Sequence, residues 1–182
     1  IAALGAAAPV ARSFGALRLS ENSGLALASL ALRRGAAQPV PMGLPLPGPG
    51  GYVAGHGAGA FWTGPGQWMI EAEGRAEEDF AAALKAVVPG CSVTEQTDGF
   101  TAFEIVSSTG AAPIERLMAK LFNIDTAGFG PGSATRTGFE HMSVFVIRRA
   151  ADRLAVMAMR SAAGSVWHGL STAAARLAEE GQ

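Results

Sequence analysis

Apolar residues recur every three or four positions in three stretches of the chain, and each stretch carries its own helix boundaries. Between Glu77 and Val88, residues Phe80, Leu84, Val87 and Val88 fall at helical spacing. Glu77, Glu78 and Asp79 open the run and Lys85 lies near its end, complementing the helix dipole; Pro89-Gly90 stops it. Ile114, Leu117, Met118, Leu121 and Phe122 mark a second helix, with Thr109 as a cap, Pro113 in the first turn and Asn123 able to close the end. A third helix runs from about Ser161 to Glu179, with Val166, Trp167, Leu170, Ala174 and Leu177 on one face.

Shorter apolar runs predict strands over Leu25 to Arg33, Gly59 to Trp62, Gln67 to Glu73, Ser92 to Thr97, Phe100 to Ser107, Met142 to Arg149 and Leu154 to Met159. Val144-Phe145-Val146-Ile147 lacks polar alternation and should be covered on both faces. Thr63-Gly64-Pro65-Gly66 reads as a hairpin turn between Trp62 and Trp68, and Ala150-Ala151-Asp152-Arg153 turns the chain between the last two strands. Hairpins dominate over crossovers, so the fold class is α+β, with mainly antiparallel sheets and helices packed on them. A duplication of two strand–helix–strand units stays open, because no sequence repeat reveals one.

Two segments punctuate this pattern. Gln38 to Gly59 carries Pro39, Pro41, Pro45, Pro47 and Pro49 among glycines and cannot be a regular helix or central strand. Gly128 to Ser133 is a shorter loop of the same kind. Neither is a phosphate cradle, since no Gly-Lys-Ser/Thr or G-x-G-x-x-G opens a helix. The expected organisation is a terminal arm over residues 1–14, then one domain over residues 15–182 with the Pro/Gly-rich loop at 38–59.

Composition narrows the options. The 182 residues are 49% hydrophobic and 16% charged, with a net charge of −1. Disorder is therefore a poor description, and the dense positive field of a nucleic-acid binder is missing. One cysteine, Cys91, cannot form an internal disulfide and suits a reducing cytosol. No apolar run approaches the ~18 residues of a membrane span.

Four segments, in this order and spacing, resemble the sarcosine oxidase gamma subunit family: Leu27 to Gly35, Phe61 to Ile70, Thr94 to Phe100, and Ala112 to Leu170. The last includes Leu117-Met118-Ala119-Lys120-Leu121, Asn123-Ile124-Asp125, Pro131 to Thr137 and Ser165-Val166-Trp167-His168. That family is similar in turn to the folate-binding region of glycine-cleavage aminomethyltransferases. The resemblance implies an aminomethyltransferase-like fold, with two ferredoxin-like halves as an option. It implies a scaffold subunit, without a catalytic site of its own, of a cytoplasmic heterotetramer that demethylates sarcosine, passes the one-carbon unit to tetrahydrofolate and releases hydrogen peroxide. The implied partners are alpha, beta and delta subunits, with FAD, FMN, NAD and tetrahydrofolate on those other chains. The alternatives are a freestanding tetrahydrofolate-binding one-carbon protein and a subunit of a related N-methyl amino-acid dehydrogenase.

The residues themselves point to no catalytic set. His56, His141 and His168 have no metal-site spacing: His56 falls in the glycine-rich loop, His141 enters a strand beside Glu140, and His168 follows Trp167 on the third helix. Cys91 reads as a small apolar strand residue without a cationic neighbour to activate it. Asp98-Gly99 reads as a tight turn and Asp125 as a helix-end cap. No catalytic, cofactor-binding or metal-ligating residue is assigned. The candidate interface residues are Trp62, Trp68, Arg136, Arg160, Trp167 and His168. Tryptophans that prove exposed would be strong anchors, and the arginines suit a carboxylate of folate or, in preference, of a partner subunit.

Overall fold

The computed structural model describes residues 2–181, so Ile1 and Gln182, the outermost residues of the expected arm and domain, lie outside the described residues. The chain is α+β and forms two compact units. One comprises residues 1–23 with 101–182, the other residues 24–100. The boundaries fall at 23/24 and 100/101.

The first unit carries a six-stranded sheet in the order β1 (Ala11–Phe14), β2 (Leu17–Asn22), β8 (Phe100–Ser107), β11 (Arg153–Met159), β10 (Met142–Ala150), β9 (Ser133–Phe139). Helices α2 (Ala111–Leu121) and α3 (Ala163–Glu180) complete it. Leu17 and Leu19, Phe103 and Ile105, Val144 and Val146, and Leu154 and Val156 alternate inward along their strands. They share one core with Ile114, Leu117 and Met118 of α2 and Val166, Leu170, Ala174 and Leu177 of α3. Ala134, Ile147, Ala155 and Met157 on the other face of the sheet are buried as well. The run through Val144, Val146 and Ile147 is thus covered on both sides, with Phe145 half-buried.

The second unit holds a five-stranded sheet in the order β4 (Tyr52–Gly55), β5 (Ala58–Gly64), β6 (Gln67–Ala72), β3 (Ala26–Leu32), β7 (Cys91–Glu95), together with α1 (Phe80–Val87). Phe80, Leu84 and Val88 pack with Ala28, Leu30, Trp68 and Ile70. Val87, expected on the same stripe, is 61% exposed, because an i, i+4, i+8 line already fills the interface. Asp79 accepts a hydrogen bond from the Ala82 N–H at 3.0 Å, and Glu95 reaches across from β7 to accept from Ala81 at 2.9 Å. Two orphan donors of α1 are thereby satisfied.

The expected turn at Pro65-Gly66 closes β5 onto β6, with Gly66 at φ +67° and Trp62 opposite Trp68. Four strands lie where none was expected. β1 and β2 pair around Gly15, so residues 11–14 of the expected arm are strand. β4 lies inside the glycine-rich segment, and β9 follows the 128–133 loop. The proline-rich stretch is itself anchored: Leu44 and Leu46 enter the core, and Gln38 donates to the Leu46 carbonyl at 3.1 Å.

Several end signals act differently from the sequence expectation. Gly110, not Thr109, occupies the N-cap of α2, and the extended backbone of Phe122 ends that helix before Asn123. Asp125 accepts from the Ala127 N–H at 3.2 Å and organises the next turn, rather than capping α2. Gly99 donates to the Gln96 carbonyl at 2.9 Å, so Asp98-Gly99 is a turn, yet β7 and β8 belong to different sheets and form no hairpin.

Candidate functional site

The candidate residues fall into three groups. Trp62 and Trp68 face each other across the β5–β6 hairpin. Trp68 is 4% exposed and its indole Nε1–H donates to the Pro47 carbonyl at 2.7 Å. It is a core residue that ties down the proline-rich segment, so it is unavailable as a surface anchor. Trp62 is half-buried on the same core and keeps an accessible edge.

Trp167 and His168 lie in the second turn of α3, and Arg160 lies in the turn that precedes the helix. Trp167 is half-buried, with its ring centroid 5.5 Å from that of Phe103. His168 is exposed and Arg160 half-buried in the short turn that leads into the helix. His168 lines an open groove of about 260 Å³ with Lys120, Glu140, Thr172 and Arg176. Lys120 is already paired with Glu180 at 2.8 Å.

Arg136 lies apart on β9. It is exposed, donates to the Ser143 hydroxyl at 2.7 Å, and lies 6.0 Å from the Phe145 ring centroid. The register sets Arg136, Phe145 and Met157 in one row across β9, β10 and β11. Met159, at the end of β11, is 60% exposed. In this row Met157 is buried and Phe145 half-buried, so the Arg136 guanidinium and, nearby, the Met159 side chain are what this end of the sheet exposes.

The remaining histidines sit in turns. His56-Gly57 closes β4 onto β5 with both residues at positive φ, the mirror-image turn that matches strand twist. His56 is exposed. Glu140 and His141 turn β9 into β10, with Glu140 at φ +53°, so His141 lies at a turn rather than in a strand. Burial pushes the Cys91 thiol up, although Lys85 and Arg33 lie close enough to oppose it. The cations that seemed missing are present; burial wins.

Sequence reasoning passed over three polar features: the buried Glu71 and Arg148 side chains and the half-buried Arg149–Glu104 pair. Glu71, 3% exposed, accepts a hydrogen bond from the Tyr52 hydroxyl at 2.9 Å. Gly59 makes room for it, since a Cβ there would lie 2.6 Å from the Glu71 carboxylate. Arg149 grips Glu104 through Nη2 at 2.9 Å and Nε at 3.0 Å. Arg148, 2% exposed, donates to the Ala150 and Ala151 carbonyls, and Glu115 lies 3.7 Å away. Its guanidinium staples the β10–β11 turn beneath α2. Polar positions within apolar strands were the available signal for all three.

Among the described residues no group of three or more His, Cys, Asp or Glu side chains could hold a metal ion. A second cleft of the first unit, about 290 Å³, is lined by Glu115, Phe129, Pro131 and Arg148. Both clefts fall just below the roughly 300–1,000 Å³ of small-molecule sites. Neither presents an open aromatic face on which a pterin ring would stack, because Phe129 is 8% exposed. Among the described residues no helix is long and apolar enough to cross a membrane.

No protein-family model and no curated protein matches the sequence. Solved structures do. A chain of the heterotetrameric sarcosine oxidase from Corynebacterium sp. U-96, in complex with pyrrole 2-carboxylate, is similar with a TM-score of 0.73 at 19% identity over 92% of this chain and 88% of that one. The glycine cleavage system aminomethyltransferase T from Bartonella henselae is similar with a TM-score of 0.60 at 13% identity over 86% of this chain and 46% of that one. This chain spans about half the length of the aminomethyltransferase, but nearly all of the oxidase chain. The protein therefore has the fold shared by a chain of heterotetrameric sarcosine oxidase and the aminomethyltransferase of the glycine cleavage system.

Proposed function

We propose that this chain is the gamma-type scaffold subunit of a heterotetrameric sarcosine oxidase, working in the cytoplasm beside alpha, beta and delta subunits. The observation that carries the reading is the near end-to-end likeness, in both directions, to one chain of such an oxidase. In this reading the complex demethylates sarcosine, tetrahydrofolate accepts the one-carbon unit, and hydrogen peroxide leaves. FAD, FMN, NAD and tetrahydrofolate reside on the other chains. This chain contributes surfaces: the accessible edges of Trp62 and Trp167, the exposed His168, and Arg136 and Arg160 for acidic groups on a partner. Trp68 drops out of that set because it is buried.

The likeness to an aminomethyltransferase supports a second reading, a freestanding tetrahydrofolate-binding protein. Titration calorimetry of the purified chain with tetrahydrofolate separates the two. The scaffold reading predicts no saturable heat at millimolar ligand. Stoichiometric binding in the micromolar range would replace it with the carrier reading.

A further inference from the structure

The segment ahead of β1 closes around one buried side chain. Glu21, the third inward position of β2 after Leu17 and Leu19, is a carboxylate only 5% exposed. Burying such a group is unfavourable unless donors meet it. The donors come from one place. The backbone N–H groups of Ala3 and Leu4 donate to Oε1, the latter at 3.3 Å, and that of Val10 to Oε2 at 3.4 Å. The Glu21 N–H in turn donates to the Val10 carbonyl at 2.9 Å. Gly5, at φ +75°, folds its N–H back onto the Ala2 carbonyl, so the segment curls around the carboxylate.

The rest of the hold is apolar packing at one end of the segment. Ala2 is buried, and Ala3 and Leu4 pack on the core of the first unit, but residues 5 and 7–9 are exposed. Without the segment, the Glu21 carboxylate would be hydrated; without the carboxylate, three N–H groups would lose their acceptor. Each side is stable in the closed state because of the other, which is the condition for a segment that opens as a unit.

The geometry points to Glu21 as a latch that holds residues 2–10 closed on the first unit, independently of any partner subunit. The test is amide exchange by NMR on the full chain and its Glu21→Ala and Glu21→Gln variants. A latch predicts that the Ala3, Leu4 and Val10 amides exchange about 10- to 100-fold faster in Glu21→Ala, with a smaller increase in Glu21→Gln, whose side chain keeps one acceptor oxygen. The amides of β10 and β11 should hold their rates. Unchanged protection at Ala3, Leu4 and Val10 would overturn the latch, as would an equal rise everywhere, since Glu21 would then serve global stability alone. Should Glu21→Ala not fold, the parent chain decides. A latch requires those three amides to share one opening rate faster than that of β10 and β11, and unrelated rates contradict it.

Discussion

The Phe139 ring lies so close to α3 that a Cβ on Gly169 would overlap its Cζ and sit 3.0 Å from Cε1. Glycine in a helix interior is otherwise unfavourable by about 1 kcal/mol relative to alanine. If propensity governed, Gly169→Ala would stabilise the protein. The contact predicts the reverse: a loss of about 1–3 kcal/mol in chemical denaturation, the usual cost of overpacking. Gly169→Ala with Phe139→Leu should recover part of that loss.

Arg149 and Glu104 form a two-pronged pair with side chains 15% and 20% exposed. Removing one partner strands the other where water reaches it poorly. Glu104→Ala should cost about 1–3 kcal/mol, less than a fully buried pair because some screening remains. A double-mutant cycle with Arg149→Ala measures the coupling, and additive single effects would deny it.

Trp68 fixes the proline-rich segment through one hydrogen bond to Pro47. Trp68→Phe keeps most of the ring burial and removes the donor. Its expected cost is about 1 kcal/mol, with faster amide exchange at Leu44 and Leu46 and little change in α1. Equal exchange in both proteins would show that the segment is held without this bond.

Stability should fall in acid partly through Glu95. Burial pushes its carboxyl up, but the Thr97 hydroxyl and the N–H groups of Ala81, Thr97 and Gln96 outweigh burial and hold it below the ordinary value. A carboxyl lowered by folding adds stability that is full above its unfolded value, about 4.3, and is lost as pH falls through the lower folded value. Glu95→Gln should therefore be less stable at pH 7 and show a shallower loss below about pH 4.5. Parallel stability curves for the two proteins would exclude that contribution.

Three helices and seven strands were legible in the sequence because their apolar spacing is regular and their ends carry Pro, Gly or charge. β2 was hidden by Glu21: Leu17, Leu19 and Glu21 alternate inward, but a carboxylate at the third position disguises the period. β4 was hidden by glycines around a turn that uses His56 where Asn is usual. β9 reads as polar because it lies at the sheet edge, where only Ala134 and Phe139 are buried. Of the candidate interface residues, exposure separated Arg136 and His168 from Trp68, and no local pattern carries that distinction. Trp62 and Trp68 are near neighbours in sequence and opposite each other in the sheet, yet only the Trp68 indole is buried and bonded to Pro47. The Glu71–Tyr52 and Glu104–Arg149 pairs depend on strand order, which short-range periodicity does not encode.

Co-expression with alpha, beta and delta subunits of a sarcosine oxidase, with an affinity tag on this chain alone, measures the proposed role most directly. The scaffold reading predicts recovery of one four-chain complex with flavin absorbance and sarcosine-dependent peroxide release, while omission of this chain leaves no assembled, active complex. A fully active three-chain complex, or a tagged chain that elutes alone, would contradict it.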